Sequence, residues 1–424
     1  MKSYISITAA ALLGTAQSSQ HWAINPEQFD RFRIAQIEVP QVQDFAHSFK
    51  FDNSGSYNDI NLENNEQTHH KKRSKRSHGN NFATDASIKN TGNDNKFTIT
   101  ENGKLYVQGG FGTYLPEYRL YDDLRVEDFA SSFKFDNGGS LNKIAITNSD
   151  APKHKKKSSG SMFGENFNFK NSGDGNAISF SNGDSSDGTE TDFSKNFKFT
   201  NSGKKNNIDI TNKGGQFAKD FGLDNKGGDN NIAITNYGEQ FANGANIKNS
   251  GSQNKIGIIN KGDEFSKGFN LDNKGSKNSI GIKNEGDQFS KTFSETNSGS
   301  KNKIGVVNRG EQFTNNFKMN NKGSDNSIGL NNYGDKFSKT LDMTNSGAKN
   351  SIGINNRAGD LTNNLNFNNK GSDNFIRLRN KGDQYAKNIN MINSASRNDI
   401  GLENNLNVQQ YPYYYTVAPY YYPY

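Results

Sequence analysis

Three groups of residues in this sequence have types that could do chemistry. The first is a pair of basic runs, His69-His70-Lys71-Lys72-Arg73-Ser74-Lys75-Arg76 and Lys153-His154-Lys155-Lys156-Lys157. Clustered cations of this kind attract acidic polysaccharide, nucleic acid or an anionic membrane surface. The first run also reads as a dibasic processing site, cut after Arg76. The plainer reading of both is a solvated loop that keeps the chain soluble. A second group is acidic and rich in Gly and Asn, as at Asn284-Glu285-Gly286-Asp287. It is similar to calcium-binding β-roll turns, but the tandem nonapeptide pattern of such rolls is missing. The third group is a recurrent asparagine, whose amide both donates and accepts hydrogen bonds.

Catalytic chemistry finds no constellation. The histidines are His21, His47, His69, His70, His78 and His154, and cysteine is absent. No nucleophile motif, zinc-ligand spacing or phosphate loop stands out. The expectation is a protein that is not an enzyme and needs no metal or cofactor.

The asparagines recur because the chain repeats. From Asn201 onward it aligns with itself at a shift of 24 residues, through Asn225, Asn249, Asn273, Asn297, Asn321, Asn345, Asn369 and Asn393. Earlier copies start at Asn53, Asn90, Asn137 and Asn171, giving 13 in all. Each copy has the form F-x3-F-x-φ-x-N-x-G-x2-N-x-I-x-φ-x-N. In one it supplies Asn273, Asn278, Ile280, Ile282 and Asn284; in the next, Phe289, Asn297, Asn302, Ile304 and Asn308. The leading Phe becomes Leu361 and Tyr385 in two copies, and the last Asn is replaced once, by Glu101.

Within a copy the marked residues lie two apart, which is the period of a strand with one face buried. Lys274-Gly275-Ser276-Lys277 separates two such runs and reads as a turn in which Gly adopts positive φ. Each copy is therefore strand, turn, strand, then a linker carrying the leading Phe. One copy cannot bury its apolar face alone, whereas copies stacked at about 4.8 Å bury a continuous column. The expected fold is all-β, a β-solenoid of about 13 coils with a 24-residue period. Inward asparagines are then satisfied by repetition, each amide donating to the copy above and accepting from the copy below. The residue after the first Asn alternates (Ser250, Lys274, Ser298, Lys322), which keeps lysines from stacking on successive rungs. Between the two isoleucine positions stands a small outward residue, as at Ala233, Gly257, Gly281, Gly305, Gly329 and Gly353. This flat stripe is expected to pack one rod against another.

The rest of the chain arranges itself around this array. Residues 1–20 carry Lys2, an apolar run from Ile5 to Leu13 and then small residues, the pattern of a secretory signal too short to span a membrane. Residues 21–44 read as an N-terminal cap or leader, 45–404 as the solenoid, and 405–424 as a Tyr/Pro-rich tail suited to adhesion, cross-linking or recognition. Extra residues enter at 65–81, 102–128, 149–162 and 183–192, always between the last Asn and the next leading Phe. No other apolar run is long enough to cross a membrane. The chain contains no Asn-x-Ser/Thr sequon, which is consistent with secretion, since a glycan on a stacked Asn would block the core.

The spacing of Asn273, Gly275, Asn278, Ile280 and Asn284 resembles the repeats of curlin, the subunit of bacterial curli fibres, with Asn where both curlin Gln stand. The resemblance covers about Phe45 to Asn404. It implies a strand–turn–strand coil with open edges at both ends and self-assembly into amyloid-like extracellular fibres. The expected function is a secreted structural protein of a fibre or matrix. The alternative is a discrete capped solenoid, an adhesin binding an acidic polysaccharide or cell surface through its basic loops and Tyr tail. Neither reading involves specific nucleic-acid binding.

Overall fold

The computed structural model describes residues 3–8, 46–65, 83–102, 130–148, 163–183, 192–357 and 359–404. Every strand pairing in them is parallel, and the strands alternate between two sheets. Strands β1 (Ser3–Thr8), β3 (Asn58–Asn65) and the odd-numbered series to β27 (Asp399–Asn404) form a 14-stranded sheet. Strands β2 (Ala46–Asn53) through β26 (Asn388–Asn393) form a 13-stranded sheet. The expected β-solenoid is the observed fold.

One coil consists of β16 (Glu264–Asn273) and β17 (Ser279–Asn284), the next of β18 (Gln288–Asn297) and β19 (Lys303–Asn308). Equivalent residues face one another, Phe269 on Phe293, Asn273 on Asn297, Ile280 on Ile304 and Ile282 on Val306. Register this strict follows from the period of two, since a slip by one residue would turn every Ile and Asn outward. The inward faces of the two sheets make a single apolar core along the rod. Phe167 of one sheet meets Phe180 of the other edge-on, with ring centroids 5.7 Å apart. The longer spacings of the early copies leave the register intact, with Ile60 opposite Phe97 and Phe97 opposite Ile144.

Two expectations are corrected by the backbone. The turn glycine does not supply positive φ. In this turn the left-handed residue is Lys277, at φ 60°, and equivalent residues include Lys301, Asp325 and Asp373. Gly275 is required for a different reason: a Cβ there would lie 1.8 Å from the carbonyl oxygen of Gly251 in the preceding coil. Secondly, the leading Phe lies in a linker only in some coils: Phe265 and Phe289 are inside the ten-residue strands β16 and β18, whereas Phe163, Phe193 and Phe337 lie outside any strand. The outward stripe faces open space, since a Cβ on Gly257, Gly281, Gly305 or Gly353 would meet nothing within 4 Å.

The segment given the character of a secretory signal contributes a strand. Ser3–Thr8 pairs with β3, placing Ile5 opposite Ile60 and Ile7 opposite Leu62. The basic residues Lys71, Lys72, Arg73, Lys75, Arg76, Lys155, Lys156 and Lys157 lie outside the described residues, as do 21–44 and the Tyr/Pro-rich tail. Among the described residues no helix is long and apolar enough to cross a membrane.

Candidate functional site

The arrangement with functional potential is the set of columns that runs the length of the rod and ends at its terminal coils. Each column begins as a local consequence of sequence. The two short strands of a coil point their Asn and Ile side chains the same way, and the turn between them brings the first and middle Asn together.

Asn273 is fully buried, and its Nδ2 donates to Oδ1 of Asn297 at 2.8 Å. Its own Oδ1 accepts from Asn249 at 2.8 Å and from Asn278 at 3.0 Å. Asn297 repeats the arrangement, donating to Asn321 at 2.8 Å. Asn284 donates to Asn308 at 3.1 Å and also to the carbonyl oxygen of Gly286 at 2.9 Å; Asn308 in turn donates to Asn332 at 3.0 Å. These first and last Asn columns are the amide ladders expected from the sequence. In low dielectric, an amide without such partners would cost about 1–3 kcal/mol.

The middle column works differently. The backbone N–H of Asn278 donates to Oδ1 of Asn302 at 2.8 Å, and that of Asn302 to Asn326 at 2.8 Å. The side-chain amide of Asn278 turns back, donating to Asn273 within its coil and to the Gly251 carbonyl oxygen one coil earlier at 3.1 Å. The middle Asn therefore ties its turn to both neighbouring coils, a stricter demand than a simple ladder makes.

Ile280, Ile282 and Ile304 are buried in the apolar columns. Phe289 stacks on Phe265 and on Phe313, each with centroids 4.8 Å apart and ring planes within 4° of parallel. The stack continues from Phe163 to Phe337 through eight rings.

Several participants were not picked out from the sequence. The residue after the leading Phe is buried and small, as with Ala218, Ala242, Ser266, Ser290 and Thr314. The signal was present, because a small residue recurs there in every copy. A glutamine column adds bonds from Gln216 to Gln240 at 2.9 Å and from Gln240 to Glu264 at 3.0 Å. On the exposed corner, Tyr333 lies between the guanidinium groups of Arg309 and Arg357, 5.8 Å and 5.4 Å from its ring centre.

Glu295 is the exception inside the core. It occupies an inward position between Leu271 and Met319, is fully buried, and neither carboxyl oxygen has a hydrogen-bond partner. Desolvation alone pushes its pKa up to about 8.

Among the described residues the columns stop uncovered at the C-terminal end. Leu402 is 64% exposed and Ile389 is 51% exposed, although Leu378 and Leu365, one coil earlier, are buried. No protein-family model, curated protein or solved structure matches the chain.

Proposed function

We propose that this chain is a secreted, non-enzymatic structural protein, with a curlin-like repeat, whose rods stack end to end into amyloid-like extracellular fibres or matrix. The observation that carries this reading is the uncovered last coil. There the columns end on exposed Ile389 and Leu402 and half-buried Met391 and Ile400, and among the described residues β26 and β27 are unpaired strand edges. A parallel, in-register edge of this kind is a template for another strand of the same pattern. Repetition makes the best-fitting partner another copy of the chain.

The reading also accounts for the chemistry of the columns. Amide ladders and stacked phenylalanines gain with every added rung, so the interactions that hold the rod together also favour lengthening it. The basic runs, the small outward stripe and the Tyr-rich tail then belong to contacts with acidic polymers, cell surfaces or neighbouring fibres.

Negative-stain electron microscopy of the chain without residues 1–20, followed with time at neutral pH, tests this. Unbranched filaments that lengthen from added seeds are the expected result. Monodisperse short rods that never lengthen would instead favour the discrete adhesin.

A further inference from the structure

The three Asn columns share one direction. In the first, the donor always belongs to the earlier coil and the acceptor to the later one, from Asn53 to Asn90 at 2.8 Å through Asn369 to Asn393 at 2.9 Å. The last column runs the same way, from Asn148 to Asn182 at 3.1 Å through Asn356 to Asn380 at 3.0 Å. So does the middle one, from the Asn58 N–H to Asn95 at 2.8 Å through the Asn374 N–H to Asn398 at 2.9 Å. The rod is consequently polar, with amide donors leading at its C-terminal end and amide acceptors at its N-terminal end.

The terminal residues display this polarity. Among the described residues Asn393 has no later amide to meet, and its Nδ2 keeps only the own-turn bond that the other first Asn also make, here to the carbonyl oxygen of Ala395 at 3.3 Å. Among the described residues Asn53 accepts only from Asn58 of its own coil, at 3.0 Å, whereas Asn90 accepts both from Asn53 and from Asn95. Two C-terminal ends placed together would oppose donor to donor. A C-terminal end placed on an N-terminal end would extend the columns without a break.

The two ends differ in a second respect. On the last coil, Leu402 and Ile389 are exposed, whereas Ile60 and Leu62 of the first coil are fully buried. Along β3, the neighbour is Ser3–Thr8, SYISIT, set parallel with Ile5 on Ile60 and Ile7 on Leu62. Strand β27, DIGLEN, meets β25 (Phe375–Asn380) with the same alternation, Ile400 on Ile376 and Leu402 on Leu378. The leader strand thus has the form of an odd-numbered rung and sits where one would be added.

We infer that copies of this chain join in one polarity only, the last coil of one copy seating on the first coil of the next in the place that Ser3–Thr8 holds. This deepens the fibre reading and rests on it. The junction is heterologous, so it does not close on itself and gives an open filament. The leader strand is a surrogate rung that keeps the acceptor edge filled. Being tethered, it competes at an effective concentration on the order of millimolar, far above that of free copies at micromolar levels. Removal of residues 1–20, expected from their signal character, would release the edge and permit growth.

The absence of native cysteine allows a clean test. Ser54 and Ser394 follow the first Asn of the first and last coils and are both exposed. Across the inferred junction they become neighbours about 4.8 Å apart, within the reach of a disulfide. Chains lacking residues 1–20 and carrying either Ser54→Cys or Ser394→Cys are mixed under mild oxidation, with each variant alone as a control. A mixed disulfide in the mixture, and none in either control, is the expected result. Retaining residues 1–20 on the Ser54→Cys chain should lower its yield at least about tenfold. Disulfides within the Ser394→Cys sample alone, or an equal yield with the leader retained, would overturn the inference. Filaments that form without the mixed disulfide would overturn this junction while leaving the fibre reading standing. If the unsubstituted chain never lengthens by electron microscopy, the fibre reading itself falls, and the junction with it.

Discussion

Replacing Glu295 with leucine should stabilise the rod by an amount that grows with pH. Glu295 is the only acidic or basic side chain among the described buried residues, and it lies in register between Leu271 and Met319. Burial raises its pKa from 4.5 to about 8, and no charged group contributes to the shift. The sign follows from proton binding. Between these values the unfolded chain has lost the proton that the folded chain keeps, so stability falls as pH rises. At about 1.4 kcal/mol per pH unit, the deficit is about 3 kcal/mol at pH 7 and about 5 kcal/mol above pH 8. Below the unfolded value both states are protonated and this contribution vanishes. What remains there is the cost of a buried carboxyl without partners, about 1–3 kcal/mol. Urea unfolding at pH 5, 7 and 8.5, with hydrogen exchange across Gln288–Asn297, compares the native chain with Glu295→Leu and Glu295→Gln. The native chain should lose stability locally as pH rises, whereas both variants should lack that slope. Parallel pH profiles in all three would refute the account of this site. So would a native chain that gains stability at high pH relative to the variants.

Further consequences concern the glycines and the ladders. Gly275→Ala should destabilise its turn by about 1–3 kcal/mol or more, since the Cβ would collide with the Gly251 carbonyl oxygen. Gly281→Ala, which meets nothing within 4 Å, should be neutral or stabilising by up to about 1 kcal/mol; thermal melts compare the two. Asn297→Ala removes the acceptor of Asn273 and Asn302 and the donor to Asn321, and should cost at least about 1–3 kcal/mol, read by urea unfolding. Lysine at Gly281, Gly305 and Gly329 together should prevent lateral bundling while leaving single filaments, and unchanged bundles in electron micrographs would refute a packing role for that stripe.

The fold was legible because its determinants are side chains of fixed type at fixed intervals. Asn273, Ile280, Ile282, Asn284 and Phe289 each show their role through the period of two and the 24-residue shift. The turn was less legible. Its left-handed position holds Lys277, Lys301, Asp325 or Arg397, residues with no common preference for that conformation, so stacking of the coils imposes what the local sequence does not. The reason for Gly275 was hidden for the same cause, since the clash that forbids a Cβ comes from another coil. Glu295 escaped notice because a strong pattern tolerates one deviant, and the cost appears only once its neighbours are known to be Leu271 and Met319. The direction of the ladders could not be read from the sequence at all, because an amide offers both a donor and an acceptor and only the geometry assigns each to a side.

Mass per length is the most direct measure of the central claim, and scanning transmission electron microscopy of unstained filaments provides it. Thirteen coils at about 4.8 Å give each copy a rise of roughly 62 Å. A chain of 47.0 kDa, less its leader, added end to end then gives about 7 kDa per nm for a single filament, with whole multiples for bundles. Filaments at that value would place one copy per solenoid length, as the account predicts. Filaments of unrelated mass per length, or short rods that never grow, would contradict it.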